Sequence, residues 1–66
     1  MFELMTLNSD KVETSRISIR SLADARFYAK GLLYTEGTKW VMIEKDGEKY
    51  EAYELGRYGK PEMLIF

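Results

Sequence analysis

Neither cysteine nor histidine occurs in this chain, and together the two absences remove most of the ways a small protein is stapled or made reactive. Without Cys there is no disulfide, and without either residue the nitrogen and sulfur ligands of structural zinc sites are missing. General-base and nucleophile roles would fall to carboxylates, Lys, Tyr or an unassisted Ser. No GxSxG, P-loop or GxGxxG pattern is present, and Gly-Arg-Tyr-Gly at 56–59 is too short to cradle a phosphate. The expectation is a non-enzymatic protein with no metal and no cofactor. A lack of Cys fits a reducing cytoplasm. The opening residues MFELMTL lack the basic region and apolar run of a secretory signal, and no stretch approaches the ~20 apolar residues of a membrane span. A cytoplasmic protein with no membrane association is expected.

Proline is nearly absent too, with Pro61 the single example, and there is no linker, repeat or low-complexity tract. Charge of one sign is also missing: ten basic and eleven acidic residues give a net charge of −1, so the overall field favours neither nucleic acid nor membrane surfaces. A mimic of DNA would need a strongly acidic face. The 66 residues make one compact domain, 1–66, too small for the cleft of about 300–1,000 Å³ that a small-molecule site usually occupies. A chain of this length buries only ~60% of its unfolded surface, and its single core seldom supplies more than about 3–5 kcal/mol. With disulfides and zinc excluded, a partner subunit is the remaining supplement.

What the chain does contain is a strong hairpin. In KWVMIEKDGEKYEAYEL, residues 39–55, Asp46-Gly47 separates two alternating apolar and polar runs, and a two-residue type I′ turn needs positive φ at both positions. Counting outward from that turn, Lys45 faces Glu48, Ile43 faces Tyr50, Val41 faces Ala52 and Trp40 faces Tyr53. Residues 2–7 read as a first strand, Asn8-Ser9-Asp10 as its turn, and 12–20 as a second strand with Ile17 and Ile19 on one face. Ser21 with Asp24 forms a capping-box-like start for a helix over 22 to 33 or 34, with Gly37 as its breaker. Leu22, Ala25, Ala29, Leu32 and Leu33 share a stripe, with Tyr28 at its edge. Residues 56–60 are loop-like, and 63–66, Met-Leu-Ile-Phe, supply a final short strand. The expected fold is α+β, a small antiparallel sheet of four to five strands with one helix on one face, in the order ββαβββ.

One helix covers one face, so the other face needs water, the tail or another molecule. The counted register places Val41, Ile43, Tyr50 and Ala52 under the helix, and Trp40, Met42 and Tyr53 on the open side beside Glu44, Lys49 and Glu51. Aromatic and Met side chains mixed with charge are the composition of protein interfaces, so Trp40, Met42 and Tyr53 are candidate partner contacts. A purely structural account makes Trp40 and Tyr53 a cross-strand pair. Phe27 and Tyr34, seven residues apart, form a second line off the core stripe. That line is either covered by residues 63–66 or the first hairpin, or it is a partner groove. Arg16, Arg20 and Arg26 are the candidates for an alternative in which bases stack on exposed rings and cations track phosphates. Glu44, Glu51 and Glu54 stand among those rings and oppose it, and no recognised nucleic-acid motif is present.

The run ISIRSLADARFYAKGLLYTEGTKWV, residues 17–41, resembles the strand, Ser-Leu-x-Asp-Ala helix opening and following strand of very small phage-encoded proteins. It is similar to the T7-type phage inhibitors of host RNA polymerase, which implies one helix packed on a small antiparallel sheet. The long first hairpin and apolar tail depart from that pattern. No functional residue carries across, and the polymerase target is not implied. The expected function is a protein-binding module, such as a phage or mobile-element inhibitor of a host protein. A homodimer paired through residues 63–66 is the competing expectation.

Overall fold

The computed structural model describes residues 1–64, folded as β1 (Phe2–Leu7), β2 (Glu13–Ile19), α1 (Leu22–Leu32), β3 (Trp40–Lys45), β4 (Glu48–Leu55) and β5 (Pro61–Met63). The strands form one sheet in the order β2-β1-β3-β4-β5, with every neighbouring pair antiparallel. This is the α+β architecture expected, with five strands and α1 packed on β1, β3 and the inner side of β2. Since β2 and β3 each run antiparallel to β1, they are parallel to each other. A parallel pair needs a crossover, and α1 with its flanking turns provides it.

Local chemistry accounts for the helix start. The Ser21 hydroxyl accepts the amide of Asp24 at 3.4 Å, while Asp24 in the first turn and Lys30 in the last complement the helix dipole. The helix ends at Leu32, slightly before the expected 33 or 34, because Tyr34 and Thr35 amides turn to the carbonyls of Gly31 and Leu32 three residues back. Gly37, at φ 87°, therefore reverses the chain toward β3 and does not end the helix itself. In the first hairpin, Asn8 Oδ1 accepts the amides of Asp10 and Val12, and Lys11 takes the positive φ.

Ala25 and Ala29 are fully buried, and their short side chains let the helix backbone approach the sheet. Leu4, Leu33, Val41, Ile43 and Tyr53 complete the core, with Phe2, Ile19, Leu32 and Leu55 packed around it. Of the expected core stripe, Ala25, Ala29, Leu32 and Leu33 pack in or against the core, Leu22 is half-buried outside that cluster, and Tyr28 at the edge points out into solvent.

The hairpin register differs from the expected one by a single residue. Asp46 and Gly47 are the loop, both at positive φ, and Lys45 does face Glu48. Past Lys49, which faces Glu44, an extra residue intervenes: Tyr50 has no cross-strand partner and Glu51 faces Ile43. Beyond this bulge Ala52 faces Met42, Tyr53 faces Val41 and Glu54 faces Trp40. Tyr53 and Glu51 are therefore on the helix side, and Ala52 is on the open side, the reverse of the count from the turn. Tyr50 is exposed at the rim, packed edge-on to Phe2 with ring centroids 5.9 Å apart. The last strand also begins earlier than expected, at Pro61, where a missing amide is tolerated on an edge. Of the tail expected at 63–66, Ile65 and Phe66 lie outside the described residues. Among the described residues no helix is long and apolar enough to cross a membrane.

Candidate protein-binding surfaces

The open face of the sheet has an apolar floor, where Met5 faces Met42 and Met42 faces Ala52 across three adjacent strands. Arg16 lies over one end of it. Its guanidinium bonds Glu13 at 2.8 Å and Glu44 at 3.0 Å, pairs with Glu3, and rests against the Met5 sulfur. The hydrogen bonds that Arg16 donates to Glu13, then to Glu3 and Glu44, hold the guanidinium more firmly protonated than usual, and the same bonds lower the Glu13 carboxyl. At the other end Trp40 Nε1 donates to Glu54 at 3.2 Å, and the Lys39 ammonium stands 5.8 Å from the ring centroid. Leu64, whose amide donates to the Ala52 carbonyl, joins Leu7, Trp40, Met42 and Ala52 around a shallow depression. Trp40 and Met42 thus share the open face as expected, but they are half-buried and framed by the protein's own charges.

Tyr53, expected on the open face, lies on the opposite one. It is 2% exposed in the core beneath α1, where its hydroxyl donates to Glu51 Oε1 at 2.8 Å. Glu51 is buried as well, and Arg26 reaches from α1 to grip it through Nε at 3.0 Å and Nη2 at 2.6 Å. This arrangement is the reason for the bulge: a carboxylate on the helix side is tolerated because Arg26 and Tyr53 satisfy both of its oxygens. Arg26 lowers the Glu51 carboxyl, and burial, followed by the Glu51 bond, pushes the Tyr53 hydroxyl up to about 12.

On the outer surface of α1 the second candidate line is present and open. Phe27 is 74% exposed and Tyr34 61%, and neither the first hairpin nor any other described segment folds over them. Tyr28 joins them, its ring edge-on to Phe27 with centroids 5.7 Å apart. Phe27, Tyr28, Gly31, Leu32 and Tyr34, with the stem of Lys30, line a shallow apolar depression. Tyr34 is fixed in place because its hydroxyl donates to the Gly59 carbonyl in the β4–β5 turn, 2.8 Å away. Tyr28 is the residue that sequence reasoning missed. Its place at the edge of the core stripe left its direction to be decided by how closely the two alanines bring the helix to the sheet.

The three arginines of the nucleic-acid alternative do not come together. Arg16 is on the open face, Arg26 is on the helix side gripping Glu51, and Arg20 follows the end of β2 with no ion pair among the described residues. Among those residues there is also no group of three acidic side chains placed to hold a metal ion. Comparison with family models, curated proteins and solved structures finds no match. The class is accordingly defined by the architecture alone: a small α+β domain with a five-stranded antiparallel sheet, one helix, and an aromatic surface on the outside of that helix.

Proposed function

We propose that this chain is a protein-binding module that docks through the outer face of α1, with Phe27, Tyr28 and Tyr34 as its anchors. The observation that carries this reading is the exposure of three aromatic rings, Phe27 and Tyr28 on the outer side of α1 and Tyr34 in the turn that follows it, none of which belongs to the core. Aromatic side chains of this kind dominate binding energy because they bury large area with few rotatable bonds. The Tyr34 hydroxyl bond to Gly59 and the Phe27–Tyr28 contact preorganise the rings, which reduces the entropy lost on docking. A partner that fits presents apolar side chains to the rings and a carboxylate toward Lys30. Such a module acts by occlusion, covering a surface its partner needs.

The test is affinity capture from the native host with the original chain and with a Phe27→Ala/Tyr34→Ala variant. Both substitutions are at the surface, so the far-ultraviolet spectrum should be unchanged. Binding of the captured partner should weaken by about 30-fold or more, corresponding to the ~2 kcal/mol of an anchor residue. Equal binding by a folded variant would refute the proposal, and a Trp40→Ala variant would then show whether the open sheet face carries the contact.

A further inference from the structure

The two edges of the sheet are unlike. β5 has three residues and begins with Pro61, which blunts it, whereas β2 runs seven residues, ETSRISI, without Pro, Gly or Lys. An undefended strand edge presents a row of unpaired backbone groups and is a template for another strand. At about 3.3 Å per residue, β2 offers about 23 Å of such edge. Its outward side chains are exposed as well, including Ile17 at 45% on the helix side.

We infer that the β2 edge pairs with a second copy of this chain, the two β2 strands lying antiparallel about a two-fold axis at Ile17 so that both sheets become one. The choice of occupant and register comes from charge. A two-fold axis normal to the sheet keeps each side chain on its own face, so residues that meet across it must share a face and the axis must fall on a residue. An axis at Arg16 sets two guanidinium groups against each other, and one at Ser18 sets Arg16 against Arg20. An axis at Ser15 runs the ladder into the irregularity where Leu7 faces Glu13 and Thr14 is left over. The axis at Ile17 avoids both arginine clashes and meets the irregularity only at the ends of the paired segment. It joins the two exposed Ile17 side chains and sets Ser15 opposite Ile19 and Arg16 opposite Ser18. The left-over Thr14 bonds Thr6 on the helix side, so Glu13 holds the open-face place that meets Arg20 of the other copy. Arg20 has no ion pair among the described residues, and symmetry makes this contact twice.

A pairing edge of seven residues buries less than the ~800 Å² per partner of a standard interface, so the association is weak and concentration-dependent. The experiment is sedimentation of the full chain over a wide concentration range. The expected mass rises from one chain toward two, Ile17→Lys abolishes the rise, and Arg20→Glu weakens association by about three- to tenfold. Combining Arg20→Glu with Glu13→Arg should restore it. Circular dichroism establishes that each variant is folded. A one-chain mass at every concentration overturns the inference. So does a dimer indifferent to both single changes, or one lost instead with Phe27→Ala.

Discussion

Glu51 is the side chain on which the two faces of the sheet depend. A carboxylate under a helix is costly alone, and here it is held by Arg26 from α1 and by the Tyr53 hydroxyl. Because the folded state lowers the Glu51 carboxyl below its ordinary value near 4.5, the stability it contributes is present above that value and is lost as pH falls through the lower, folded one. Tyr53 behaves in the opposite sense. Its hydroxyl titrates near 10 in the unfolded chain and at about 12 in the fold, so its contribution is complete below 10 and disappears as pH rises toward 12. Urea midpoints measured against pH should therefore fall at both ends. Glu51→Gln should flatten the acid limb, and Tyr53→Phe should flatten the alkaline one at a cost of about 1 kcal/mol. The pairing of Arg26 with Glu51 is not legible in the sequence, because the two stand 25 residues apart and only the packing of α1 on the sheet brings the Arg26 side chain within reach of β4.

At the scale of elements, the helix and the Asp46-Gly47 turn were readable because each is governed by residues within one turn of chain. Ser21 and Asp24 mark the start of α1, and positive φ at two adjacent positions selects the hairpin loop. The bulge at Tyr50 has no such local signature. In an unbulged ladder Tyr50 would lie under the helix and Glu51 outside it; the extra residue keeps Glu51 and Tyr53 inside and leaves Tyr50 at the rim beside Phe2. This makes an unusual deletion informative. Removing Tyr50 should leave every remaining β4 side chain on its present face and cost about 0.5–1.5 kcal/mol for the lost aromatic contact. Removing Ala52 instead would turn Glu51 away from the core or drive Tyr53 to the open face, and the chain should not fold. Circular dichroism of the two deletions distinguishes these outcomes. The candidate site divides in the same way: helical periodicity alone sets Phe27 and Tyr34 off the core stripe, whereas a count from the turn puts Tyr53 on the open face and the bulge reverses it.

At the scale of the whole molecule the core is thin, resting on Leu4, Leu33, Val41, Ile43, Tyr53 and two alanines. Truncating a buried Ile costs about 2–5 kcal/mol, comparable with the ~3–5 kcal/mol that a domain of this size retains. Ile43→Ala should consequently be largely unfolded without denaturant, and Ile43→Val should remain folded, as a far-ultraviolet thermal scan of each would show. The sequence by itself determined the order of elements, the capped helix with its apolar stripe, the turn at Asp46-Gly47 and the separation of Phe27 and Tyr34 from the core. All of these follow from contacts between residues near in the chain. Tertiary structure alone decided the sheet order, the faces of β4 beyond Lys49, the burial of Glu51 and Tyr53, and the place of β2 at the edge of the sheet. Those depend on which distant groups satisfy one another: a buried carboxylate had to meet Arg26, and it did so at the expense of a regular ladder.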